Sequence, residues 1–135
     1  MALKILLTGA SGVLGRQINL DSRQHSEFEI LSPMRSELNI TSDASVCSYF
    51  NNHEFDTVLH CAAYTKTLKA PEEVERCIKT NIIGTWNLLK CTMEKKKRFV
   101  YISTDYVFDG HKGNYLPTDP INPIGSYSMS KAAAE

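Results

Sequence analysis

The sequence has no C-x-x-C pair and no cluster of cysteine with histidine. Its four cysteines, Cys47, Cys61, Cys77 and Cys91, lie 14, 16 and 14 residues apart. Zinc sites need ligands that converge in close pairs, and a disulfide framework belongs to an oxidising compartment. Free, mostly buried thiols are expected instead. An excess of charge of one sign is also missing. Lys+Arg and Asp+Glu each number 15, so the formal net charge is zero, which excludes the basic excess of a nucleic-acid binder. No apolar run exceeds about five residues, far below the ~20 that cross a bilayer. The first residues run directly into a glycine-rich turn, so no secretory leader is expected, and a cytoplasmic, non-membrane chain is. The 135 residues, 42% hydrophobic and 22% charged, suit one ordinary globular domain.

Short apolar runs alternate with longer amphipathic ones. Leu3–Leu7, Phe28–Leu31, Thr57–His60 and Phe99–Ile102 read as strands, the first as a buried parallel strand. Val13–Leu20 and Asp43–Asn52 read as helices. Pro71 suits the first turn of a long helix running to about Glu94. Glu72, Glu73 and Glu75 at its start and Lys95, Lys96 and Lys97 after its end complement the helix dipole. Val74, Ile78, Ile82, Trp86 and Leu89 give it one apolar face. The Lys95–Arg98 run reads as a solvated helix end. Residues 109–125, with three prolines and three glycines, form a long loop of the kind that often carries function. Ser126–Glu135 begins a last, alanine-rich helix. Strands alternating with helices predict an α/β fold, a doubly wound parallel sheet that binds ligands at the carboxyl ends of its strands.

Four motifs fall at such ends. Thr8-Gly9-Ala10-Ser11-Gly12-Val13-Leu14-Gly15 is a G-x-x-G-x-x-G between a strand and a helix, the setting of a dinucleotide turn. Gly9 allows the tight turn, Gly12 close approach to a pyrophosphate, and Gly15 close packing of the helix, whose N-terminus favours an anion. After the second strand, Leu31-Ser32-Pro33-Met34-Arg35 lacks the acid that holds a ribose 2′-hydroxyl. Arg35, with Ser32, points instead to a 2′-phosphate, hence NADPH, with NADH left open. Tyr127-Ser128-Met129-Ser130-Lys131 is a Y-x-x-x-K, which sets both side chains on one helical face. An ammonium beside a phenol favours the phenolate and equips it for proton transfer. Ser103-Thr104-Asp105 ends the fourth strand, where a hydroxyl can hold a carbonyl oxygen against Tyr127.

Together these residues resemble the extended short-chain dehydrogenase/reductase superfamily. Ser103-Thr104-Asp105-Tyr106-Val107-Phe108-Asp109-Gly110 resembles the signature of its dTDP-4-dehydrorhamnose reductase family. His60-Cys61-Ala62-Ala63-Tyr64-Thr65 is similar to the segment flanking the nicotinamide, and Asn81 lies in the usual Thr-Asn-x-x-Gly-Thr context. The resemblance implies a Rossmann-type NAD(P)-binding domain over 1–135. It implies a catalytic set of Thr104, Tyr127 and Lys131, and a pyrophosphate turn of Gly9, Ser11, Gly12, Val13 and Leu14. It places Asn39 and Ile40 against adenine, and Ala62, Ala63 and Tyr64 beside the ribose and nicotinamide. The implied reaction is NAD(P)H-dependent reduction of the C4 keto group of a nucleotide-linked 6-deoxyhexose, a step of dTDP-rhamnose biosynthesis. Tyr127 would protonate the alkoxide, Lys131 would bond the nicotinamide ribose, and Thr104 would orient the carbonyl.

The sequence departs from the family in two places and from related dehydratases in a third. Asn39 stands where Asp is usual. Asp105-Tyr106 replaces the Asp-Glu pair of related dehydratases, so dehydration is not expected. Members of the family run to about twice this length, so a C-terminally truncated sheet without a substrate-binding domain is expected, inactive as a reductase on its own. A homodimer through the long helix and the Tyr/Lys helix is a further expectation, as is a nucleotide-sugar partner for the full-length parent. Two alternatives stay open: a non-catalytic dinucleotide-binding or regulatory module, and a sugar-nucleotide epimerase.

Overall fold

Apolar residues drive the centre of the sheet. In β1 (Leu3–Thr8), Leu6 and Leu7 are completely buried, as is Val58 in β3 (Thr57–His60). Burying each such side chain contributes about 1.5–3 kcal/mol. The computed structural model describes all 135 residues. Its four strands are parallel, in the order β2-β1-β3-β4, with β2 at Phe28–Leu31 and β4 at Arg98–Tyr101. The order reverses between β1 and β3, the crevice where doubly wound sheets hold ligands. The expected α/β Rossmann-type architecture is therefore the observed one, and β4 lies one residue earlier than its hydropathy suggests.

Helices α1 (Val13–Asp21), α2 (Asp43–Asn52) and α5 (Ser126–Ala133) match their expected positions closely. Ser42 caps α2, its hydroxyl accepting from Ser45 N. Val46, Tyr49 and Phe50 of α2 pack with Leu6, Val58, Phe55 and Leu88 into the main core, where Phe50 and Phe55 meet edge to face at 4.9 Å. No helix is long and apolar enough to cross a membrane.

The long helix is not continuous. It begins at Val74 rather than Pro71, as α3 (Val74–Ile78). It widens into a π-turn over Lys79–Ile83 and resumes as α4 (Gly84–Glu94). The expected apolar face is also the wrong one. Val74, Ile78 and Trp86 are exposed, whereas Cys77, Asn81, Thr85, Leu88 and Thr92 are buried. Apart from Leu88, the buried stripe is small and largely polar, and its polar groups are bonded inside: Asn81 to Ser130, Thr85 to Asn81 O, Thr92 to Leu88 O. A satisfied polar side chain can be buried where an unsatisfied one cannot. The lysines after α4 are not uniformly solvated either. Lys97 bonds Phe55 O and lies 5.0 Å over the Phe55 ring.

Candidate cofactor-binding site

The turn after β1 is built by close backbone approach. Gly9 has φ +73°, and a Cβ there would lie 2.6 Å from Ala62 N at the end of β3. Only glycine fits both demands. Gly12 N donates to Gly9 O at 2.9 Å, and a Cβ on Gly15 would fall 2.2 Å from that same oxygen. Gly15 thus lets α1 rest on the turn itself rather than on the sheet. At the start of α1, Gly12 caps with no side chain and the first turn holds no acid, which leaves amide N–H groups and the positive end of the helix dipole for an anion.

This turn forms one wall of a cleft of about 960 Å³ along the carboxyl ends of the strands. Gly9, Ser11, Gly12, Val13, Leu14, Arg35, Asn39, Ile40, Ala62, Ala63, Tyr127 and Lys131 all border it. No carboxylate does. Its cations are Arg35 near the end of β2 and Lys131 on α5. Arg35 is exposed and makes no ion pair. Beside it, Ser32 Oγ donates to Asn19 Oδ1 at 2.7 Å. Asn39 keeps its oxygen for Thr41, accepting from the N–H and the hydroxyl at 3.2 and 2.9 Å. A concave site with a capless helix end, two cations and no carboxylate has the donor set of a dinucleotide phosphate site.

Tyr127 and Lys131 come together on this cleft, one turn apart on α5. Lys131 is 4% exposed; its Nζ donates to Ile102 O at 2.7 Å and stands 4.2 Å over the Tyr101 ring. Burial lowers its pKa from the ordinary lysine value, partly offset by Glu135 and Cys61. Tyr127 is half-buried, edge-on to Tyr106 at 6.0 Å. Two expected residues are placed differently. Thr104 is not on the cleft; Ser103 is. The Thr104 hydroxyl accepts from Tyr106 N at 3.2 Å and so caps the short turn at Asp105–Val107. Tyr64 turns away from the cleft and packs with Ala70 and Cys77 because its ring is apolar enough to fill that satellite core. Its hydroxyl has no partner, and burial raises its pKa.

Residues 3–135 match the family model described as the RmlD substrate binding domain. The chain belongs to the RmlD substrate binding domain family. Among similar proteins is a dTDP-4-dehydrorhamnose reductase of Aggregatibacter actinomycetemcomitans, 35% identical over 98% of this chain and 45% of its own length. The structure of a dTDP-4-dehydrorhamnose reductase from Bacillus anthracis in complex with NADP superposes with a TM-score of 0.93 at 32% identity, covering 99% of this chain and 48% of that one. Methionine adenosyltransferase 2 subunit beta of Bos taurus is 27% identical over 98% of this chain and 41% of its own length. The chain thus spans about half the length of the relatives it matches.

In this member of the RmlD family, sequence reasoning missed a buried string of hydrogen bonds behind the cleft. Its centre is His60, 1% exposed. Thr85 Oγ1 spends its one proton on Asn81 O at 2.6 Å, so it accepts from His60 Nε2–H at 2.9 Å. The Nδ1 is then bare and accepts from Thr8 Oγ1–H at 2.7 Å, while the Thr8 oxygen accepts from Ala62 N at 3.3 Å. Each group is satisfied once, which fixes the tautomer. Burial, then the Lys131 charge, lowers the His60 pKa to about 4. Asn81, in the π-turn, clamps the cleft wall from the other side. Its Oδ1 accepts from Tyr64 N at 2.7 Å, and its Nδ2 donates to Tyr64 O at 3.1 Å and Ser130 Oγ at 2.8 Å. The available signal was register: Thr8 and His60 are paired positions at the polar ends of two buried strands.

Proposed function

We propose that these 135 residues form the NADPH-binding and proton-donating part of a reductase acting on the C4 keto group of a nucleotide-linked 6-deoxyhexose. One observation carries the reading: Tyr127 and Lys131 share a carboxylate-free cleft with the glycine turn and Arg35. Gly9, Ser11, Gly12, Val13 and Leu14 would receive the pyrophosphate, Arg35 a 2′-phosphate, Asn39 and Ile40 the adenine, and Ala62 and Ala63 the nicotinamide side. The bound nicotinamide supplies hydride chemistry. Tyr127 delivers the proton to the developing alkoxide. Lys131 holds the ribose and the local positive charge. Thr104 steadies the carbonyl oxygen, since the Ser103 hydroxyl is already spent on the Glu135 carboxylate. Positioning and electrostatics are what the chain itself contributes.

Calorimetric titration with NADPH and with NADH tests this reading. It expects NADPH to bind, and more tightly than NADH; binding of neither refutes it. A second reading, a dinucleotide-binding subunit without catalysis, is favoured by Thr104 lying off the cleft that Tyr127 and Lys131 border. Cofactor binding with no turnover of a nucleotide sugar in the full-length parent selects it. The exposed Val74, Ile78, Trp86 and Met129 on α3, α4 and α5 are the surface a homodimer would cover, and light scattering of the purified chain decides that.

A further inference from the structure

Four scattered cysteines read as inert thiols, yet the fold brings two of them into contact. Cys47 on α2 and Cys91 on α4 place their Sγ atoms 3.4 Å apart. Cys91 is a buried member of the main core, and Cys47 is half-buried at its rim. The seam between the two helices is fixed on both sides of this contact. The Lys90 ammonium is paired with the Asp43 carboxylate. Asn87 Nδ2 donates to Ile40 O at 2.9 Å, and the Ile40 side chain packs so closely on Gly84 that a Cβ there would lie 2.8 Å away. The backbones are thus held with the sulfurs already touching. The other two cysteines have no such arrangement. Cys77 Sγ is bonded to Ser130 Oγ at 3.1 Å, and Cys61 borders the cleft.

We propose that Cys47 and Cys91 form a thiol–disulfide site that a small-molecule disulfide such as oxidised glutathione closes, cross-linking α2 to α4 behind the Asn39–Ile40 wall of the cleft.

Access divides the roles. Cys47, the more exposed, attacks as a thiolate. A Cys47–glutathione bond forms, the S–S bond of oxidised glutathione breaks, and one glutathione leaves with the proton that Cys47 gave up. Cys91 then attacks Cys47 Sγ. The Cys47–Cys91 bond forms, the mixed disulfide breaks, and the second glutathione leaves with the Cys91 proton. Two protein thiols lose two electrons and two protons, and one glutathione disulfide becomes two glutathiones. Burial and the neighbouring Cys47 push the Cys91 thiol up to about 12, so Cys91 does not make the first attack, and its own step relies on the sulfur held against it.

Thiol titration tests the site without reference to any cofactor. The chain is fully reduced, equilibrated with oxidised glutathione, and its thiols are counted in denaturant. The count is expected to fall from four to two, and peptide mapping is expected to join the Cys47 and Cys91 peptides. The Tm is expected to rise by about 10 °C, the size a bridge between distant positions gives a domain of this length. Reduction with dithiothreitol reverses both changes. Cys47→Ser abolishes them, and Cys61→Ser leaves them intact. Mapping of the unmutated chain keeps the test decisive if Cys47→Ser fails to fold. Four thiols after oxidation, a bridge that includes Cys61 or Cys77, or a product that stops at a glutathione adduct on Cys47 overturns the proposal. A bridge that lowers the Tm overturns it too, because the seam would then not be set for closure.

Discussion

His60 makes the stability of this fold depend on pH in a window where few other groups act. Both ring nitrogens are committed, Nδ1 to the Thr8 hydroxyl and Nε2 to Thr85. A proton on Nδ1 would face a hydroxyl already pointing its own hydrogen there, in a site shielded from water and near the Lys131 charge. Burial and that charge hold the pKa at about 4, against an ordinary 6.5. The folded chain therefore binds this proton less readily than the unfolded chain. Its contribution is complete above pH 6.5, falls as the pH drops, and levels off near pH 4. At 1.36 kcal/mol per unit the whole loss is about 3 kcal/mol, of which about 2 is gone by pH 5. Glu27, Glu75, Asp109 and Asp119 are held below the usual carboxylate range by hydrogen bonds, so their contributions fail only at lower pH. Urea unfolding followed by far-UV circular dichroism, at constant ionic strength from pH 7.5 to 5, reads the effect. His60→Gln keeps a polar side chain but cannot titrate, so its slope over this window should vanish. A flat profile in the unmutated chain, or an unchanged slope in the variant, refutes the reasoning.

Other substitutions probe the cleft. Gly9→Ala forces a Cβ to within 2.6 Å of Ala62 N at a positive φ; it is expected to cost at least about 2 kcal/mol in urea unfolding and to abolish NADPH binding by titration. Arg35→Ala is expected to weaken NADPH about 10- to 100-fold, the value of a charge-assisted contact, while leaving NADH unchanged in the same calorimeter. Asn81→Ala strands Tyr64 N and O beside the π-turn; a loss of about 2–4 kcal/mol and faster hydrogen exchange at Tyr64 are expected.

The strands and the glycine turn were legible because their signals are local. A parallel strand buried on both faces is apolar, and a turn at positive φ needs glycine. The long helix was misread because hydropathy assigns burial by apolar character alone. Along the π-turn and α4 the buried side is filled by Asn81, Thr85 and Thr92, whose partners come from α5, from β3 and from the helix backbone itself. No periodicity of the helix alone reveals partners 25 or 49 residues away. The π-turn has the same origin. Asn81 must reach both the 61–65 wall and Ser130, and a widened turn delivers it there.

The site shows a similar division. The four-residue spacing of Tyr127 and Lys131 fixes their shared face whatever surrounds them. The strand-end hydroxyls are not fixed in this way, because Ser103 and Thr104 are adjacent and chemically alike. What separates them is competition with the local backbone: a threonine two residues before an open N–H folds its oxygen onto that N–H. Thr104 does so with Tyr106 N at 3.2 Å, and its proton is held only by Asp105 Oδ1 at 3.4 Å. The capping bond uses the oxygen as an acceptor, so it leaves the weakly held proton as the donor that a carbonyl oxygen requires. Capping the turn and orienting a carbonyl are therefore compatible roles for one hydroxyl. The inward turn of Tyr64 has no comparable rationale for chemistry: its ring fills the satellite core, and only its backbone, clamped by Asn81, shapes the wall.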